Sequence, residues 1–185
     1  GSIWPEGSRP VFQRKILSDI RNPGGNLFIS RANALPENWS ISAEQLVWAA
    51  GVHTWKKLAQ RGIWVNGCCD GLGESVPETR ALCENENGWT KLTHEGSCND
   101  LIFPCLATYR LDAIGASAPP MVKSYFWVSE SLFRWAIEKR PEIRFAKHAS
   151  GPGYTAYAIE KELGHSIDVF YNHAQWRTGN AIDET

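Results

Sequence analysis

The sequence predicts an α/β protein of two small lobes, each a parallel, doubly wound sheet flanked by helices, with a cleft between the lobes. Three observations carry that reading. Short apolar runs of strand type alternate with helix-period stretches from Asn26 to Asn66, the rhythm of a parallel sheet with crossover helices. The rhythm resumes at Ser124. A phrase also recurs: "VWAAGVHTWKKLAQRGIWV" (Val47 to Val65) and "HASGPGYTAYAIEKELGHSIDVF" (His148 to Phe170) each pass from an apolar stretch through Ala and Gly to Thr, a helix-like segment, Gly and a second apolar run.

Taken in order, residues 1–10 read as a tag and leader, because Gly1-Ser2 resembles a cloning remnant and no initiator Met follows; the chain is expected to be cut from a longer protein. "VFQRKILSDI" is apolar at Val11, Phe12, Ile16, Leu17 and Ile20, which predicts a helix. "NLFIS" (Asn26 to Ser30) reads as a buried strand, and "RANALPENW" as a short helix stopped before Pro36. "EQLVWAAG" (Glu44 to Gly51) reads as a strand, its run Leu46 to Ala50 outweighing the capping-box look of Ser42 and Gln45. Thr54 opens a helix ended by Gly62, and "IWVNG" follows as a strand.

Cys68 to Asp100 is polar and loop-like, with a candidate helix at "ESVPETRALCENE". "DLIFPCLATYRL" (Asp100 to Leu111) reads as a strand region interrupted at Pro104, and "DAIGASAPPMVK" as the crossover between lobes. "SYFWVS" (Ser124 to Ser129) is a strand, "ESLFRWAIEKR" a helix burying Leu132, Phe133, Trp135 and Ala136, and "IRFAKHAS" a strand. A helix from Thr155 to Leu163, a stop at Gly164 and a strand at "SIDVFY" complete the pattern, and "NHAQWRTGNAIDET" shows no period. The expected lobes are 11–109, complete, and 110–178, truncated, with 179–185 as tail.

Composition narrows the function. Lys plus Arg number 19 against 20 for Asp plus Glu, which argues against bulk capture of nucleic acid or an acidic membrane. Neither a run of 18 apolar residues nor a signal pattern is seen, so the expected compartment is the cytoplasm. Five cysteines at irregular spacing favour reduced thiols over a disulfide framework. Cys68, Cys69, Cys83 and His94 form an alternative zinc set, without the paired spacing such sites use.

The repeat locates a candidate site. "LFIS" ends at Ser30 and "FWVS" at Ser129, and Thr54 and Thr155 follow 24 and 26 residues later. In open parallel sheets, ligands sit outside the carboxyl ends of strands, where helix N-termini present free N–H groups. Gly51, Gly151 and Gly153 are expected to let backbone approach a ligand, and the Ser and Thr hydroxyls to add donors. Two such rims would hold a molecule with several carboxylates or phosphates. The same residues also serve as ordinary turns and caps.

The ordered motifs "NLFISRANAL", "VWAAGVHTWKKLAQRGI", "YFWVSESLFRWAI" and "HASGPGYTAYAIEKELG", with Tyr109 before the crossover, resemble the uroporphyrinogen-III synthase family from about Val11 to Tyr171. The resemblance implies a chain that begins in one lobe, builds the other and returns. It implies hydroxymethylbilane, a linear tetrapyrrole with eight carboxylates, as substrate, and no metal or cofactor. The reaction implied is loss of the terminal hydroxyl as water and closure through a spiro intermediate with the last pyrrole inverted.

Tyr109 then resembles the family's acid tyrosine. Thr155, Thr54, Ser30 and Ser129 match its rim positions, and Arg31, Gly51, Glu130, Ser131, Gly151, Gly153 and Tyr154 complete the expected substrate contacts, with Arg110 a further cation near carboxylates. Against the family pattern, a first strand, helix and strand and a C-terminal helix are missing, leaving about three strands in the second lobe. The missing part is expected from an upstream fused domain, such as hydroxymethylbilane synthase, or from a second chain. The alternatives are a binding module for an anionic tetrapyrrole or similar polycarboxylate, and a docking remnant. For the last, Trp4, Trp39, Trp89 and Trp176 would form the surface, with Trp48, Trp55, Trp64, Trp127 and Trp135 in the core.

Overall fold

The computed structural model describes residues 3–5, 11–69, 88–98, 103–114 and 117–182. The candidate helix at 74–86, with Cys83, lies outside them. The chain divides into two compact units, Phe12–Asp112 and the combination of Gly1–Val11 with Ala113–Thr185.

The unit Phe12–Asp112 contains β2 (Phe12–Ile16), β3 (Asn26–Ile29), β4 (Val47–Ala49), α1 (Val52–Gln60), β5 (Gly67–Cys68), β6 (Trp89–His94) and β7 (Cys105–Ala113). Its sheet runs β2-β7-β6-β3-β4-β5. The pairs from β7 to β5 are parallel. Hydrogen bonds from Leu17 N–H to Thr108 and from Ile114 N–H to Val11 run in opposite senses along the two chains, which makes β2 an antiparallel edge.

β3 is buried along its whole length. Leu27 and Ile29 face Val47, Ala49, Leu58, Leu92 and Tyr109, while Phe28 packs with Cys69, Trp89 and Phe103 on the other side. Each such side chain contributes about 1.5–3 kcal/mol on burial. Asn26 and Asn66 accept from the N–H groups of Leu46 and Val47 at 3.0 and 2.8 Å, fixing the amino ends of β3 and β4. Arg61, the C-cap of α1, donates to the carbonyls of Ala32, Leu35 and Pro36. That clamps the 3₁₀ turn Ala32–Ala34, which stands where a short helix is expected.

Three expectations for this unit change. Val11 to Ile20 is not a helix: Phe12–Ile16 is a mostly exposed edge strand, and pairing with β7 overrides its helical spacing. The loop expected before Asp100 contains β6 beside the central strand; Lys91 and Thr93 are buried in it, so its polarity hid it. "IWVNG" contributes buried Val65, but the strand is only Gly67–Cys68.

The other unit holds β1 (Ile3–Trp4), β8 (Ser124–Trp127), α2 (Glu130–Lys139), a 3₁₀ turn at Pro141–Phe145, β9 (Lys147–Ser150), α3 (Tyr154–Leu163), β10 (Asp168–Val169) and α4 (His173–Ile182). Its sheet, β1-β8-β9-β10, is parallel throughout. Tyr125 stacks on Trp127 at 5.2 Å, and Phe133 meets Trp127 edge-on. Trp127 Nε1 donates to His148 Nδ1 at 3.0 Å. Burial lowers the His148 pKa, opposed by the nearby backbone of Arg144 and Ile143, although Nε2 has no partner at hydrogen-bonding geometry. Phe126, Ala149 and Trp176 close the opposite face.

Here Ile3–Trp4 is a sheet strand rather than leader, giving four strands instead of three. The segment without period forms α4: Asn172 accepts from Gln175 N–H at 2.9 Å and Gln175 accepts from Tyr171 N–H at 2.7 Å, a reciprocal cap, and buried Trp176 anchors it. The stretch "IRFAKHAS" is a strand only from Lys147. The tryptophan assignments shift too. Trp89 and Trp176 are buried, whereas Trp55 and Trp64 are 42% and 81% exposed, so the expected docking set does not form one exposed surface.

Cys98 and Cys105 are joined by a disulfide, where reduced thiols are expected. Their separation of seven residues gave no framework pattern, but the passage from β6 to β7 brings their Cα atoms to 5.5 Å, inside bridging range. Cys68 and Cys69 take no part in a disulfide. Among the described residues no helix is long and apolar enough to cross a membrane.

Candidate functional site

In the unit Phe12–Asp112, the sheet winds outward from β3 through β4 to β5, then returns to place β6 and β7 on the other side of β3. The reversal between β3 and β6 is a topological switch point, where a crevice opens beyond the carboxyl ends of the strands. Ser30 and Arg31 leave β3 there, His94 ends β6, and Tyr109 lies on β7 opposite His94.

Ser30 donates its N–H to Leu92 and its carbonyl accepts from Thr54 Oγ1 at 3.4 Å, leaving Oγ buried without a partner. Thr54 is the third residue of α1 and is 8% exposed, so it does not open the helix as expected. Gly51 is the N-cap, with an extended φ of −172° and nothing within 4 Å of where a Cβ would sit. The local backbone therefore does not demand glycine at that position.

Tyr109 is 5% exposed. The Arg14 guanidinium lies 5.9 Å from its ring centroid. Burial raises the phenol pKa above its ordinary value of 10.0, while the charges of Arg31 and Arg14 pull it back. The phenol therefore carries its proton at neutral pH and can donate it. His94 meets the same ring edge-on, centroids 5.7 Å apart, and its Nε2 lies 3.2 Å from Ser97 Oγ. Sequence reading placed His94 only in a zinc set and missed this contact; a His ending a strand in "WTKLTHEGS" is the signal that would have found it. Among the described residues no cluster of His, Cys, Asp and Glu could hold a metal ion.

In the second unit, Trp127 of β8 pairs with Ser150 of β9, which sets the following residues side by side at a second rim. Ser129 caps α2, its Oγ accepting from Leu132 N–H at 3.3 Å. Glu130 accepts from Arg134 Nε at 2.7 Å, Ser131 is half-buried, and Gly151 offers its carbonyl to Ser150 Oγ at 2.8 Å. A Cβ on Gly151 would meet open space. Gly153, by contrast, has φ +103° and ψ −154° as the N-cap of α3, a conformation essentially reserved for glycine. Tyr154 and half-buried Thr155 occupy the first turn of α3. Tyr154 and Tyr157 are each 60% exposed, with rings 6.3 Å apart.

The structure thus gathers Ser30, Arg31, Thr54 and Tyr109 at one rim. It gathers Ser129, Glu130, Ser131, Gly151, Gly153, Tyr154 and Thr155 at the rim of the other unit. Arg110 instead pairs with Asp112 at 3.0 Å.

These features define a two-unit α/β protein whose parallel strands lead through Ser- and Gly-bearing turns into helices. The chain is similar to the uroporphyrinogen-III synthetase of Helicobacter pylori, at 15% identity and a TM-score of 0.63 over 100% of this chain and 96% of that one. It is also similar to a mutant uroporphyrinogen III synthase of Thermus thermophilus, at 13% identity and 0.60 over 95% and 88%. It therefore has the uroporphyrinogen-III synthase fold. No protein family and no curated protein matches its sequence.

Proposed function

We propose that the chain acts as a uroporphyrinogen-III synthase-type lyase of tetrapyrrole biosynthesis, closing hydroxymethylbilane with inversion of the last pyrrole ring. The observation that carries this reading is a buried Tyr109 that feels the charges of Arg31 and Arg14, on β7 one strand beyond the switch point of a chain with this fold. The fold alone hosts no fixed chemistry; the phenol supplies the chemical argument.

Loss of the terminal hydroxyl requires a proton, which Tyr109 donates as the C–O bond breaks and water departs. The resulting electrophile is attacked by a pyrrole carbon, and the spiro intermediate rearranges to the closed ring. The final step releases a ring proton, which returns to the phenolate, so atoms and charge balance. Arg31 favours the transient phenolate and attracts a substrate carboxylate. First-turn N–H groups of α1 present partial positive charge to a further carboxylate.

Freshly prepared hydroxymethylbilane, incubated with the protein and resolved by isomer, tests the proposal. The type III product is expected in excess of the type I product that forms spontaneously. Binding of an octacarboxylate porphyrin without any type III product would reassign the chain as a binding module.

A further inference from the structure

We propose that His94 is a positioning residue for Tyr109, held edge-on to the phenol ring by Ser97 and by the disulfide-tied turn that follows β6. The inference rests on the catalytic reading of Tyr109 given above. The register of β6 against β7 shifts between Thr93 and His94, and such an irregularity re-aims the next side chain. It sets the imidazole and Tyr109 rings edge to face at 81°, where the positive edge of one ring meets the negative face of the other.

Two further ties keep it there. Ser97 Oγ engages His94 Nε2, and Ser97 belongs to the 3₁₀ turn Glu95–Ser97, whose C-cap is Cys98. Cys98 is bonded to Cys105, which begins β7 four residues before Tyr109. The turn carrying one partner is therefore covalently joined to the strand carrying the other. His94 acts on the reaction through the tyrosine, by fixing its ring.

Arg14 from β2 and Arg31 beyond β3 carry charges that act on the same phenol, so fixing the ring also fixes its distance from them.

The test measures kcat and KM for type III product in the wild type, His94→Gln and the milder Ser97→Ala, beside NMR of the Tyr109 ring protons. In His94→Gln kcat should drop roughly 10- to 100-fold while KM stays within about twofold, and the Tyr109 ring-proton shifts should move in both variants. Thermal melts establish that each variant is folded, and Ser97→Ala, with a smaller loss of kcat, serves if His94→Gln does not fold. An unchanged kcat in the folded variant, or an effect on KM alone, overturns the proposal. If the wild type yields no type III product, the catalytic reading fails separately. The pairing is then decided by NMR: Tyr109 ring shifts that move in both His94→Gln and Ser97→Ala sustain it, and shifts that move in neither, or in only one of them, overturn it.

Discussion

The doubled phrase folds the same way twice but is put to different work. In the unit Phe12–Asp112, Thr54 is buried in the first turn of α1 and bonds back to Ser30, so this rim is tied down by its own hydroxyl. In the other unit, Thr155 is half-buried and Ser129 caps α2, while Tyr154 and Tyr157 stand exposed beside a glycine in a left-handed conformation. A glycine followed within a few residues by threonine, as at Gly51 and Thr54 and at Gly151 and Thr155, thus turns a parallel strand into a helix in both units. What distinguishes the rims chemically is what surrounds the turn: Tyr109, Arg14, Arg31 and His94 at one, Gly153 and a pair of exposed phenols at the other.

The largest effect should fall on the tyrosine-bearing rim alone. Tyr109→Phe removes the donor but keeps the ring, so kcat for type III product should drop about 100-fold or more, with substrate binding nearly unchanged in a titration. A matched pair of glycine changes should separate the rims next. Gly153→Ala is expected to destabilise by about 1–3 kcal/mol and Gly51→Ala by less than about 0.5 kcal/mol, read by urea unfolding. If both cost the same, the two turns are equivalent after all.

A smaller contrast lies in the two serines. Ser129→Ala should cost about 1 kcal/mol through the lost cap. Ser30→Ala removes a buried hydroxyl with no partner and should be neutral or slightly stabilising. The gentlest effect depends on pH. Burial holds the His148 pKa below its ordinary 6.5, so the unfolded chain takes up the proton first. The stability conferred by neutral His148 is complete above about pH 6.5 and is lost as pH falls through that value toward the folded pKa. Melting temperatures between pH 7 and 5 should decline less steeply in His148→Gln.

Legibility followed where stability is local. β3 and β8 announce themselves as unbroken apolar runs, and α2 and α3 as amphipathic segments bounded by Ser129 and Gly164, whose φ of +76° suits glycine. β6 was missed because burial by neighbours, rather than its own apolar content, makes "WTKLTH" a central strand. β2 was misread because its apolar spacing fits a helix and only β7 makes it a strand, while α4 rests on one buried Trp and a cap. The site divided likewise. Ser30, Thr54, Thr155 and Tyr109 lie in readable motifs, whereas His94 and Arg14 reach Tyr109 only through the pairing of β6 and β2 with β7.

The most direct test of the central claim is the isomer ratio formed from hydroxymethylbilane by wild-type protein and Tyr109→Phe at equal concentration. On that claim, predominantly type III product is expected from the wild type, with a slow return to spontaneous type I product in the variant. Type I product alone from folded wild-type protein, or undiminished type III formation by Tyr109→Phe, would contradict it.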